Sequence, residues 1–204
     1  MAPRAYEQRQ RAASAAETRR RILDALYERL REAPAEKVSV DRLARMAGVA
    51  RSTVYLSFGS RAGLFDALGR DLIERSGYDR LLAAVRQPDA RATLRDGFRR
   101  TFEMYTPERD VLRALHSMAQ LDEEAVGGAV GRMEAERAGG MAWLAGRLAE
   151  QGELRAGVGV EEAAHALWVL SSFEAFDLLS TGRGLPTDAV SDILVAAAER
   201  AVCR

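Results

Sequence analysis

Arg51, Ser52, Thr53, Tyr55 and Ser57 put five hydrogen-bonding side chains on a seven-residue segment, and Arg61 follows shortly after. That set suits a nucleic-acid duplex. A major groove about 12 Å wide admits one α-helix, and its base edges are read by short polar or bidentate side chains. The Arg51 fork matches guanine, Thr53 offers a hydroxyl or a methyl group to a base, and Tyr55 is long enough to reach a phosphate. Arg61 opens the next helical stretch, where its charge and the first-turn amides both favour a phosphate. Catalytic chemistry is poorly supplied by comparison. His116 and His165 are distant in sequence and Cys203 is the second-last residue, so no nucleophile–base pair stands out. No metal-ligand spacing and no strand-linked glycine-rich phosphate loop is present either. The expectation is a non-enzyme with neither metal nor cofactor.

The elements that must position these side chains are legible around them. Residues 38–68 read VSVDRLARMAGVARSTVYLSFGSRAGLFDAL. Ser39 is a suitable N-cap for a short helix whose inner face is Leu43, Ala44 and Ala47. Gly48 stands where a sharp turn demands a positive φ, with Val49 as the buried residue of that turn. A second short helix then carries Val54 inward and leaves Arg51, Ser52, Thr53 and Tyr55 outside. Ser60 caps a third, with Leu64, Phe65, Leu68 and Leu72 on its apolar face. Two short helices joined by a glycine turn make a helix-turn-helix over residues 39–58. Before it, Ile22, Leu23, Leu26, Tyr27 and Leu30 recur at helical intervals from about Thr18. Pro34 closes that helix, and residues 1–15 read as a flexible basic arm.

Beyond residue 76 the pattern stays helical. Leu81–Val85 forms a short piece, Pro88 opens a helix through Phe98 and Phe102, and Pro107 begins another through Met118. Residues 122–151 make a long segment ended by Gly152, 160–181 is strongly apolar, 182–188 is a loop, and 187–202 is a last amphipathic helix. The expected fold class is all-α. Charge is asymmetric: residues 1–63 hold 13 Lys and Arg against 7 Asp and Glu (net +6), and the remainder holds 17 against 23 (net −6). A basic head on an acidic body is expected when one end meets phosphate. Apolar runs fall short of a membrane span, and the terminal lone cysteine fits a reducing cytoplasm.

The block Leu43-Ala44, Ala47-Gly48-Val49, Thr53, Tyr55, Phe58 and Leu64 resembles the TetR family of ligand-responsive regulators in order and spacing. The resemblance implies a DNA-binding domain over 16–76 and a ligand-binding and dimerisation domain over 77–204. It places DNA contacts at Arg51, Ser52, Thr53, Tyr55 and Arg61, with Ser39 and Ser57 completing the candidate set. Arg61 replaces the family's usual lysine, and Gly63 stands where an acidic residue is common, which weakens that helix's first turn. The resemblance further implies a homodimer through 160–181 and 187–202, using Ala164, Leu167, Trp168, Leu170 and Ser171 with Val190, Ile193, Leu194 and Ala197. Such a dimer calls for double-stranded DNA carrying a palindromic operator. An inducer pocket for an unidentified small molecule is implied as well. Its candidate lining is Met104, Tyr105, His116, Met118, Met133, Trp143, Trp168, Phe173 and Phe176. The expected role is a repressor released by that ligand. The alternative is a helical DNA-associated adaptor or an activator without an inducer.

Overall fold

A computed structural model describes residues 3–34 and 36–204. Its elements are α1 (Pro3–Glu32), α2 (Val40–Met46), α3 (Arg51–Phe58), α4 (Arg61–Arg75), α5 (Tyr78–Val85), α6 (Ala90–Leu121), a π-helical turn (Glu123–Gly127), α7 (Gly128–Glu150), α8 (Val160–Leu170), α9 (Phe173–Ser180) and α10 (Thr187–Val202). Among the described residues there is no strand beyond an isolated bridge between Leu154 and Cys203. The chain is all-α, and it divides into two compact units, 1–72 with 110–130 and 73–109 with 131–204.

The first unit is built on the apolar stripe of α1. Ile22, Leu26 and Leu30 are fully buried with Leu43, Val54, Leu64, Phe65 and Leu68, and each such side chain contributes about 1.5–3 kcal/mol by leaving water. Arg29, itself buried, closes the end of α1 by donating to the Ala33 carbonyl (2.7 Å) and to Glu36 (2.7 Å). Arg20 of α1 reaches the buried Asp71 of α4 at 2.5 Å. In the second unit Phe98, Phe102, Leu148, Leu167, Phe176, Val190 and Ala198 form the core.

Several expected boundaries shift. The segment read as an arm is helical from Pro3, while Met1 and Ala2, and the side chains of Arg4 and Arg9, lie outside the described residues. Its Ala, Gln, Arg and Glu content favours helix, although residues 10–17 are exposed, so no packing drives it. Pro107 does not begin a helix. It lies inside α6, where its missing N–H removes one ladder bond but the flanking apolar face carries the helix through. Pro88 precedes α6 without entering it, since Asp89 is the residue that accepts from the Ala92 amide (2.9 Å). The single apolar segment 160–181 is two helices, broken at Ser171–Ser172, where the Ser172 hydroxyl accepts from Ala175 (3.1 Å) to start α9. Residues 122–151 begin with the π turn, capped by Asp122.

Candidate nucleic-acid interface

The reading segment is held by its turn. Ser39, extended at φ −91° and ψ 124°, accepts from the Arg42 amide at 3.4 Å, and its carbonyl accepts from Leu43. At the other end of α2 the Gly48 amide donates to Arg45 (3.2 Å) and the Val49 amide to Ala44 (2.9 Å). With Gly48 at φ +65° this pair of bonds is a Schellman closure, which needs a left-handed residue and therefore glycine. Val49 is half-buried where the turn expectation made it buried, because Ala47 fills the inner position instead. After α3, Gly59 also takes a positive φ, +75°, and its amide donates to the Tyr55 carbonyl at 2.7 Å.

Two contacts seat α3 on α1. Arg19 donates to the Ser57 carbonyl at 2.6 Å, and its guanidinium covers the Phe58 ring at 4.2 Å from the centroid. Val54 and Phe58 are buried beneath. Arg51, Ser52 and Tyr55 are exposed and Thr53 and Ser57 are half-buried, so the structure brings the five together on one short helix. Ser39 is also exposed, at the start of α2. Arg51 is not a bare cation: Asp41 lies 3.2 Å from it and its guanidinium stands 5.8 Å from the Tyr55 ring centroid. Tyr55 first, and the Asp41 carboxylate next, raise its pKa above the ordinary value.

Arg61 is placed differently. At the start of α4 its Nη1 pairs with Asp122 and its guanidinium lies 5.7 Å from the Phe65 ring centroid. Gly63 is no weak point in α4. A Cβ there would fall 2.1 Å from the Phe58 carbonyl oxygen, so glycine is the residue this approach between α3 and α4 admits, while the Ser60 hydroxyl accepts from its amide (3.0 Å). Leu56, 87% exposed on α3, and Met46, exposed at the end of α2, belong to the outer surface as well. Reasoning on polar types passed over both. The spacing of Leu56 from Ser52, four residues along the helix, was the available signal for the first.

The candidate ligand residues scatter more widely. Tyr105, Phe173 and Phe176 do come together, with Tyr105 5.6 Å from Phe173 and 5.7 Å from Phe176, and Phe102 stacked on Phe176 at 5.8 Å. The Tyr105 hydroxyl donates to the Ser171 carbonyl at 3.3 Å, and loss of water around it pushes its pKa well up. Met104 and Met133 are half-buried in the same unit, whereas Trp143 is half exposed under Arg147, 5.0 Å from its ring. His116, half-buried, and Met118, buried, belong to the other unit. Trp168 borders an open cleft of about 650 Å³ lined also by Ala138, Ala142, Val160, Ala164 and His165. Arg137 sits 5.1 Å from the Trp168 ring and donates to Ser171 Oγ at 2.9 Å. Of the faces expected at a dimer contact, Leu167, Ser171, Val190 and Leu194 are buried within the chain itself. Trp168 and Ile193 of those faces are exposed, as are Val169 and Leu178 beside them.

An all-α chain with a glycine-closed helix-turn-helix and a polar second helix turned outward has the geometry of a DNA-binding head. Residues 22–68 match the family model described as bacterial regulatory proteins, tetR family. NalD of Pseudomonas aeruginosa, the secondary repressor of the MexAB-OprM multidrug efflux pump, is 24% identical, with 94% of this chain and 98% of that one covered and a TM-score of 0.73. A TetR-like transcriptional regulator from Rhodococcus sp. RHA1 is 22% identical over 90% and 94%, with a TM-score of 0.67. A TetR transcription regulator from Haloarcula marismortui is 17% identical over 92% and 99%, with a TM-score of 0.70. At these identities the three structures establish the shared fold. No curated protein sequence matches the chain. Residues 22–68 therefore carry the N-terminal domain of the tetR family of bacterial regulatory proteins, and the chain as a whole shares the fold of the TetR-type regulators compared with it. No helix among the described residues is long and apolar enough to cross a membrane.

Proposed function

We propose that the chain is a non-catalytic, cytoplasmic repressor that binds a palindromic operator as a homodimer and leaves it when a small molecule binds the second unit. The observation that carries this reading is the outer face of α3. Arg51, Ser52 and Tyr55 are exposed on a helix whose other side, Val54 and Phe58, is anchored in the core. A helix fixed that way presents base-reading side chains without a further ordering cost. Arg51 and Thr53 are assigned to bases, Tyr55 and Arg61 to phosphates, and Ser39, Ser52 and Ser57 to supporting polar contacts. Val169, Leu178 and Ile193, exposed on α8, α9 and α10, favour a second copy as the dimer partner. NalD, a repressor of the same fold, agrees with the direction of control.

For the ligand, the cleft beside Trp168 and the ring set Tyr105, Phe173 and Phe176 favour an apolar or amphipathic molecule. To move the protein from nearly all bound to nearly all released, it must prefer the released state by about 5.5 kcal/mol. The test is selection of random duplexes on the purified protein at fixed salt, followed by sequencing. A palindrome whose half-sites lie about one helical turn apart is the expected result. Enrichment of no sequence above salt-sensitive background would leave a non-specific adaptor as the reading.

A further inference from the structure

Three arginines near the reading surface are ion-paired within the first unit, and one of the pairs is unlike the others. Arg51–Asp41 and Arg42–Glu36 join side chains that are all more than half exposed. Arg61 and Asp122 are each about 30% exposed, and the Arg61 Nε is buried without a hydrogen-bond partner. The guanidinium is therefore drawn over Phe65 to the carboxylate and is only partly offered to solvent. Asp122 has a second task. Its other oxygen accepts from the Ala125 amide at 3.3 Å and so caps the π-helical turn at 123–127. The contact with Arg61 is the leading cause of its lowered pKa.

We infer that Asp122 is a positioning residue that withholds Arg61 from DNA, so that an operator phosphate must displace this carboxylate before Arg61 makes its contact. The inference rests on the operator reading above. A phosphate and a carboxylate satisfy the same guanidinium fork, and one Arg61 side chain does not serve both. The two anions compete, and removing one favours the other.

Asp122→Asn keeps an oxygen acceptor for the Ala125 amide while deleting the charge, and Asp122→Ser keeps an N-cap of a second chemistry. Both should bind the selected duplex more tightly, by roughly twofold to fivefold per head, the range of a partly exposed ion pair. The log–log salt slope should steepen by about 0.9 for each Arg61 that gains a phosphate. Both gains should vanish in an Arg61→Gln background. Glu124→Gln, which removes an equal charge from the exposed π turn, should leave the slope unchanged. Unaltered affinity in Asp122→Asn and Asp122→Ser overturns the inference, as does weaker binding or a gain that persists without Arg61. Were the wild-type protein to bind no selected duplex, the operator reading would fail first. Wild-type binding with no Asp122 effect removes this inference alone.

Discussion

Gly63→Ala opposes two effects of known size. Inside a helix, replacing glycine by alanine gains about 0.5–1 kcal/mol, because the unfolded chain loses freedom. At Gly63 the added Cβ would lie 2.1 Å from the Phe58 carbonyl oxygen and 3.3 Å from its carbon, where real Cβ contacts keep at least 3.0 Å. The obstructing atoms are backbone, fixed between the end of α3 and Gly59 at φ +75°, so relief requires α3 and α4 to separate by close to an ångström. Overpacking a fixed neighbour costs about 1–3 kcal/mol and sometimes more, so the clash outweighs the helical gain and the net is about 1–2 kcal/mol of destabilisation. For a chain of this length that lowers Tm by roughly 2–8 °C, read by circular dichroism or calorimetry. Affinity for the selected duplex should fall as well, since the same shift displaces Arg61 relative to α3. Gly131→Ala supplies the control. Its Cβ would meet nothing within 4 Å, so the helical gain of about 0.5–1 kcal/mol stands unopposed and Tm rises. A Gly63→Ala protein as stable as wild type would refute the assignment of this glycine to close backbone approach.

Arg147 donates to the Gln87 and Pro88 carbonyls (both 2.7 Å) and to Thr93 Oγ1 (3.1 Å), so Arg147→Ala should cost about 1–3 kcal/mol by orphaning acceptors. Arg147→Lys should recover only part of it, and equal melting of all three proteins would contradict the network. Tyr55→Ala should weaken binding to all duplexes and flatten its salt dependence, whereas Arg51→Ala should change which sequences are enriched; unchanged enrichment would move the reading face off Arg51. Asp89 caps α6 through the Ala92 amide, and that backbone bond is the leading cause of a pKa below 3.8. A carboxylate with a depressed folded pKa stabilises above its unfolded value and loses that contribution as pH falls through the folded one. The Tm deficit of Asp89→Ala should therefore be full at neutral pH and shrink below pH 3.8, and a deficit constant with pH would rule out an ionised cap.

What the sequence disclosed and what it hid divide along the range of the interactions. Ser39, Gly48 and Ser60 act on amides within a few residues, so their roles follow from type and position, and each stands as the pattern implies. The break at Ser171–Ser172 is also local, but the run 160–181 is apolar on both sides of it, and apolar periodicity gives no weight to a serine cap inside such a run. Pro107 misled for the opposite reason. Proline is a strong local signal for a start, yet Phe102, Val111, Leu112 and Leu115 are all buried, and that continuous burial overrides the loss of one hydrogen bond. Gly63 could not be understood from its neighbours at all, because the atom that requires it belongs to Phe58, at the end of a different helix.

Charge shows the same limit more sharply. Counting residues gives the first 63 a net of +6, which suggests a head covered in available cations. The structure instead couples Arg51 to Asp41, Arg42 to Glu36 and Arg61 to Asp122, and the last partner lies outside the counted stretch altogether. A phosphate approaching such a head exchanges one anion for another, where a solvated arginine would simply release counterions. Exchange weakens the sequence-independent part of binding, because every duplex must displace the same carboxylates. Of the proposed base contacts, Thr53 carries no charge to be neutralised and is left unaffected, whereas Arg51 must first leave Asp41. Pairing at an arginine proposed to meet phosphate, as at Arg61, would therefore lower affinity for DNA in general more than affinity for a matched site, and so raise their ratio, the quantity on which regulation among many competing sequences depends.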